Sequence, residues 1–247
     1  MLRPSPYYSD APTFSTKTSA APAPFTYTGG IELENAARSF ALFPDLITPE
    51  EERSLLRELK PVLKRKRYED GHFDKVIFGF RELERVSWED PDNAATVARV
   101  RGVILGTRGE EGEVGGSVGL GEAQAEERQQ QQQQQQQQEE AKPLLPATHV
   151  IDLKKGGRID AHVDSVKFSG GLVAGLSLSC DAEMVLRPYD AERDAPVEGK
   201  EARCVLPRRS LYIMSGEARY AFTHEVSGEL DGERRGRRIS LMFRDEL

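Results

Sequence analysis

Two cysteines, Cys180 and Cys204, are all the chain has in 247 residues, and neither sits in a CxxC or any other metal-ligand spacing. A disulfide framework and a thiolate metal site are thereby excluded, and a reducing interior compartment is the simpler setting. Long apolar runs are missing too. Charges or prolines interrupt every stretch well before the roughly 18 uninterrupted apolar residues that a spanning helix needs, so no membrane span is expected. The run around Ser177 reads GLSLS and lacks the second glycine of a nucleophile elbow, which weakens any serine-hydrolase reading.

The net charge of −7 would ordinarily argue against a protein that grips phosphates. Its distribution removes that argument. Eight Glu against two Arg fall between Arg108 and Glu140, so one segment carries −6 and the remainder of the chain is close to neutral. The same segment holds an unbroken run from Gln129 to Gln138 and little that could be buried. Residues 106–143 therefore read as a disordered Gly/Glu/Gln-rich insertion in a loop, of a kind tolerated because loop-closure entropy grows slowly with length.

Residues 1–30 are rich in Ser, Thr, Ala and Pro, with Asp10 the only acid and Arg3 and Lys17 the only bases. They read either as a disordered tail or as an organellar transit peptide. From Ile31 to the end, one domain of ordinary size is expected. Near its start Thr48, Pro49 and Glu51 spell a helix N-terminus with a capping box, and Leu55, Leu56, Leu59 and Leu63 recur at helical spacing. Lys64–Arg65–Lys66–Arg67 follows as a solvated helix end. Tyr68 to Trp88 mixes aromatics with charges and reads as turns and short strands, and residues 93–103 as a second helix.

After Thr148 the text alternates: HVIDL, RIDAHVDSV, LVAGLSLS, AEMVLRP, ARCVLP, SLYIMSG, ARYAFTHEV and RRISLMF are short strand-like runs. Many such runs, preceded by helices, predict an α+β fold: a double-stranded β-helix, or jelly roll, with supporting N-terminal helices.

The chemistry concentrates in three of these runs. His162 and Asp164 stand at i and i+2, which a strand would turn to one face, and His224 follows sixty residues after Asp164. Two imidazoles and one carboxylate leave half an octahedron open, the arrangement non-haem Fe(II) oxygenases use for a keto acid and oxygen. Arg238 and Arg244 come next, also on one strand face, and an Arg fork binds a carboxylate through two hydrogen bonds. Tyr212 could donate a phenolic hydrogen bond to the same ligand. Each piece alone has an ordinary explanation, since HxD is common, C-terminal arginines usually face solvent and a strand Tyr is more often core. Their order and spacing together are much rarer.

HVDSVKFSGGLVAGLSLS, SLYIMSGEARYAFTHEV and RRISLMFR resemble the AlkB-type 2-oxoglutarate dioxygenases, in particular their mitochondrial branch, and the similarity continues upstream through LKPVLKRKRYEDGHFDKVIFGFRELERVSW. The resemblance implies a jelly roll with Fe(II) held by His162, Asp164 and His224 and the cosubstrate 2-oxoglutarate held by Tyr212, Arg238 and Arg244. It also implies a mitochondrial matrix location, with the cytoplasm as alternative, and a role in alkylation response, programmed necrosis or fatty-acid metabolism. Members that repair nucleobases carry an Asn-x-Tyr pair eleven and nine residues before the first metal His, where this chain has Ile151 and Leu153. The expected partner is accordingly a protein or RNA substrate, with stable DNA binding not expected and a monomer the default. Two other readings compete: a catalytically weak binding or scaffold protein of the same fold, and a cupin-like or hydrolytic zinc enzyme, which would leave the paired arginines without a role.

Overall fold

The computed structural model describes residues 21–22, 24–30, 36–71, 75–107, 142–165 and 169–246. Most of the expected tail, nearly all of the Gln-rich insertion, and Lys167 lie outside the described residues.

Two short strands, β1 (Ala21–Pro22) and β2 (Thr26–Thr28), fall inside the thirty residues expected to be a tail. β2 pairs with a later strand through Thr26, Tyr27 and Thr28, and the Phe25 ring meets Phe40 edge-on at 5.1 Å. Order therefore begins upstream of Ile31, because a β-favouring Thr-Tyr-Thr triplet gains its ladder bonds from a distant sheet edge. Strand β3 (Phe40–Phe43) leads to α1 (Pro49–Leu63), which starts as expected. Thr48 Oγ1 accepts from the Glu51 amide at 3.1 Å, while the Thr48 amide donates to Glu51 Oε2 at 2.7 Å. The stretch from Tyr68 to Trp88, expected as short strands and turns, holds one nine-residue strand, β4 (Ile77–Arg85), and α2 (Pro91–Thr107) follows it.

HVIDL and RIDAH are one strand, β5 (Thr148–His162), rather than two. Gly156 at φ 69° lets it bend without breaking, and a Cβ on Gly157 would lie 2.7 Å from the carbonyl of Gly79 in β4. The remaining strands are β6 (Val173–Leu178), β7 (Ala182–Asp190), β8 (Ala195–Pro196), β9 (Glu201–Leu206) and β10 (Leu211–Met214). Then come the short helix α3 (Gly216–Tyr220), β11 (Phe222–Val226), the hairpin β12–β13 (Glu229–Leu230, Glu233–Arg234) and β14 (Arg238–Arg244). ARYAFTHEV, expected as a strand, is thus helical in its first half.

One curled antiparallel sheet runs β1-β3-β10-β6-β14-β5-β11-β7-β9-β2, with β4 also on β5 and β8 on β7. This is the jelly roll. The first half of β5 pairs with β14 (Arg238↔Leu153 to Met242↔His149) and its last residues pair with β11 (His224↔His162). The bend consequently brings both ends of β5 to one end of the barrel.

Alternation along the strands builds two cores. Ile239, Leu241 and Phe243 face outward and pack with Leu55, Leu59 and Leu63 of α1 and Val97, Val100 and Ile104 of α2. Met242 faces inward with Tyr212, Phe40, Phe80, Ile151 and Leu153. Truncating a fully buried leucine such as Leu59 to Ala would destabilise the domain by about 2–5 kcal/mol. No described helix is long and apolar enough to cross a membrane.

Candidate metal centre and cosubstrate pocket

His162 is the last residue of β5, and its cross-strand partner is His224 in β11, so the sheet register sets the two imidazoles side by side with ring centroids 4.2 Å apart. Asp164 lies two residues past the strand end rather than within it. Its carboxylate still reaches both rings, with Oδ1 at 3.3 Å from His162 Nε2 and Oδ2 at 4.0 Å from His224 Nε2. One ligand atom from each of the three residues lies within 4.8 Å of the others.

The protonation states suit a metal. His162 Nδ1 sits 2.9 Å from the Asp160 carbonyl, a contact that a ring N–H donates, and this turns Nε2 toward Asp164 Oδ1 at 3.3 Å. Burial, with the His162, Arg219 and Arg244 charges against the pull of Asp164, pushes the His224 imidazole down to about 3, so it is neutral at physiological pH. Burial would raise the Asp164 carboxyl, but the His162 hydrogen bond and the neighbouring His224 and Arg244 outweigh it and hold it well below the usual range. Asp164 Oδ2 and His224 Nδ1 are buried without a hydrogen-bond partner. A neutral His224 imidazole, the inward-facing His162 Nε2 and an ionised carboxylate with a spare lone pair fit a divalent first-row metal.

Behind the triad, β14 turns its even residues into the barrel. Arg244 stands at the metal end, its Nε 3.9 Å from Asp164 Oδ2 and its Nη1 3.5 Å from His149 Nδ1. His149 is held in turn at 2.8 Å by Glu82 Oε2. Arg238 lies deep, 1% exposed, with Nε donating to Ser177 Oγ at 3.0 Å and Nη2 without a partner. Burial pushes its guanidinium down to about 10, still cationic at neutral pH. Ser240 Oγ, between the two arginines along β14, is buried and unpartnered as well.

Tyr212 in β10 is also buried, its ring 5.8 Å from Phe40 and nearly parallel to it, its hydroxyl donating to Met242 Sδ at 3.7 Å. Burial raises that hydroxyl to about 12, so it stays protonated. Gly175 on the neighbouring β6 makes room, since a Cβ there would come within 2.5 Å of the Tyr212 ring. Ile151 and Leu153, opposite Ser240 and Arg238 on β5, form the apolar side.

The structure brings the six residues picked out by sequence near one another, the triad within 4.8 Å, Arg244 beside Asp164, and Tyr212 within reach of the Arg238, Asp164 and Arg244 charges. Their surroundings add Ser177, Ser240 and His149. The profile of the 2OG-Fe(II) oxygenase superfamily matches residues 121–244, a span that contains every one of these positions.

The chain belongs to the 2OG-Fe(II) oxygenase superfamily, in its AlkB-type branch.

Curated relatives place it within that branch. The mitochondrial alpha-ketoglutarate-dependent dioxygenase alkB homolog 7 of Bos taurus is 35% identical over 207 residues, covering 81% of this chain and 76% of the relative. The Mus musculus protein of the same name is 36% identical over the same coverage. Among solved structures, OsALKBH1 superposes with a TM-score of 0.57 at 14% identity, over 84% of this chain and 97% of its own. A prolyl hydroxylase from Trichoplax adhaerens, solved with a peptide fragment, gives 0.52 at 10% identity over 87% and 89%. These likenesses establish the jelly roll. The protein is accordingly a 2-oxoglutarate-dependent dioxygenase of a family that uses Fe(II).

Like His149 and Ser240, a further residue beside the triad was invisible to sequence reasoning. Arg219 of α3 is fully buried and donates to the Asp164 main-chain carbonyl at 2.8 Å and to Ser169 Oγ at 2.9 Å. Its stretch reads as strand, and a lone arginine five residues before a histidine carries no signal of burial.

Proposed function

We propose that His162, Asp164 and His224 hold the iron, that Arg238 takes the far carboxylate of 2-oxoglutarate, and that Arg244 and Tyr212 complete the cosubstrate site. The observation that carries the reading is the fully enclosed, half-satisfied guanidinium of Arg238 on the strand that also bears Arg244 beside Asp164. Six residue steps along the strand set the arginine Cα atoms ~20 Å apart, so side chains that converge from the two positions meet opposite ends of a ligand. Arg238 offers an unused N–H in buried surroundings, where a charge-assisted bond to carboxylate is strong. Tyr212, protonated at any working pH, donates rather than repels. Ile151 and Leu153 keep water out and make no polar claim on the ligand.

Iron and 2-oxoglutarate bound together supply the oxidation of a substrate C–H bond by dioxygen, with succinate and CO2 released. The apolar pair at Ile151 and Leu153 departs from the nucleobase-repair pattern and favours a protein or RNA substrate over alkylated DNA. The mitochondrial names of the curated relatives support a mitochondrial location. Purified protein with Fe(II) should convert 2-oxoglutarate to succinate, and His162→Ala should abolish the conversion; undiminished turnover in that variant overturns the assignment. Screening methylated tRNA, alkylated DNA and a mitochondrial protein extract for oxidised products by mass spectrometry reads out the substrate class.

A further inference from the structure

Asp164 lies beyond the end of β5, so no ladder bond of that strand fixes it, although its carboxylate must address His162 and His224 at once. Among the described residues, a bond to its main chain comes from Arg219, whose Nη1 donates to the Asp164 carbonyl at 2.8 Å. Nη2 of the same guanidinium donates to the buried Ser169 Oγ at 2.9 Å, on the far side of the same connection. One side chain therefore clasps both ends of the segment that carries the metal carboxylate.

The base of this clasp is rigid. The main-chain N–H of Ser215 donates to the Ser39 carbonyl at 3.0 Å, and that of Ala218 donates to Ser39 Oγ at 3.1 Å, pinning α3 beside β3. Four residues after Tyr220, the same chain supplies His224, already fixed by its pairing with β5 and β7. Arg219 thus transmits the position of the His224-bearing element to Asp164.

As mere structure this is a poor arrangement. A guanidinium with no exposed surface bears a desolvation penalty of several kcal/mol. Among the described residues its hydrogen-bond partners are one carbonyl and one hydroxyl, with the Tyr220 ring centroid 5.1 Å from Cζ and Nε left unsatisfied. Well-packed apolar residues would be the more stable filling. Departures of this kind from good packing gather at functional sites, and outer residues that orient metal ligands commonly set affinity within a factor of ~10–100.

We infer that Arg219 is the positioning residue of the metal centre, holding Asp164 in register with the two histidines; this rests on the reading of His162, Asp164 and His224 as the metal ligands.

A double-mutant cycle in metal affinity tests it, with Co(II) alone as the probe, bound to the full chain and followed by calorimetry and by the visible absorption of the bound ion. Arg219→Met should weaken Co(II) binding by ~10–100-fold and shift the spectrum toward that of Asp164→Ala. In the Asp164→Ala background the same change should cost less than about a further twofold, because Arg219 acts through that residue. Arg219→Lys, keeping one bond, should fall between wild type and Arg219→Met. If Arg219→Met does not fold, Ser169→Ala releases one end of the clasp alone and should still weaken Co(II) several-fold. Wild-type affinity in a folded Arg219→Met, or losses that multiply in the double variant, would overturn the inference. Wild-type affinity in Asp164→Ala would instead overturn the ligand assignment on which it rests.

Discussion

Replacing Arg238 by Met should make the protein without cosubstrate more stable and make it blind to 2-oxoglutarate. Arg238 is 1% exposed and satisfied at Nε by Ser177 Oγ alone, while Nη2 has no partner. Burial lowers its guanidinium from 12.5 to about 10. A lowered folded-state value means that the native state disfavours the cation, so the penalty is full at every pH below about 10 and fades only between there and 12.5. At ~1.4 kcal/mol per pH unit this amounts to about 3 kcal/mol near neutrality. Met fills similar space without charge, but it leaves Ser177 Oγ unsatisfied, returning about 1 kcal/mol. The net gain is about 2 kcal/mol, or roughly 4–8 °C in Tm for a domain of this size. Saturating 2-oxoglutarate at a hundred times its Kd should add about 2.7 kcal/mol to the wild type and nothing to the variant. Thermal melts with Mn(II), with and without 2-oxoglutarate, read both effects. An Arg238→Met protein that melts below wild type without the keto acid, or that keeps the ligand-induced shift, would refute this reasoning.

Gly175→Ala should displace the Tyr212 ring, which a new Cβ would meet at 2.5 Å, costing about 1–3 kcal/mol of stability and raising the KM for 2-oxoglutarate while leaving metal affinity near wild type. Asp152 is fully buried and takes Arg81 at 2.7 Å, Arg237 at 2.7 Å and the Tyr68 hydroxyl at 3.2 Å. Asp152→Ala should therefore lower unfolding free energy in urea by about 3–5 kcal/mol, because one side chain removed strands two cations. Burial pushes the Cys204 thiol up to about 12, so at pH 8 a thiol reagent should modify no more than one cysteine per native chain and both once the protein is unfolded.

What was legible in the sequence is what local geometry or strand period dictates. The capping box at Thr48 and Glu51 is three residues wide and formed as expected. The inward placement of Arg238 and Arg244 follows from an even spacing on one strand, and that of His162 and His224 from their strand-like surroundings. Features that depend on a distant partner were not legible. β5 reads as two runs because its continuity through Gly156–Gly157 requires the close approach of Gly79 on β4. β2 reads as tail because its three residues gain their ladder from β9. Arg219 reads as one more charged strand residue because α3 spans only five residues, too few for a helical period, and because its acceptor lies 55 positions away. Asp164 shows both sides: i+2 from His162 is visible in the text, while its place past the strand end, and hence its need for a clasp, is not.

The most direct test of the central claim is a crystal structure grown without oxygen in the presence of Mn(II) and 2-oxoglutarate. The metal should stand ~2.0–2.2 Å from His162 Nε2, from an Asp164 carboxylate oxygen and from a His224 ring nitrogen, with the far carboxylate of the keto acid hydrogen-bonded to Arg238. A metal bound elsewhere, or a keto acid whose far carboxylate does not touch Arg238, would contradict the account.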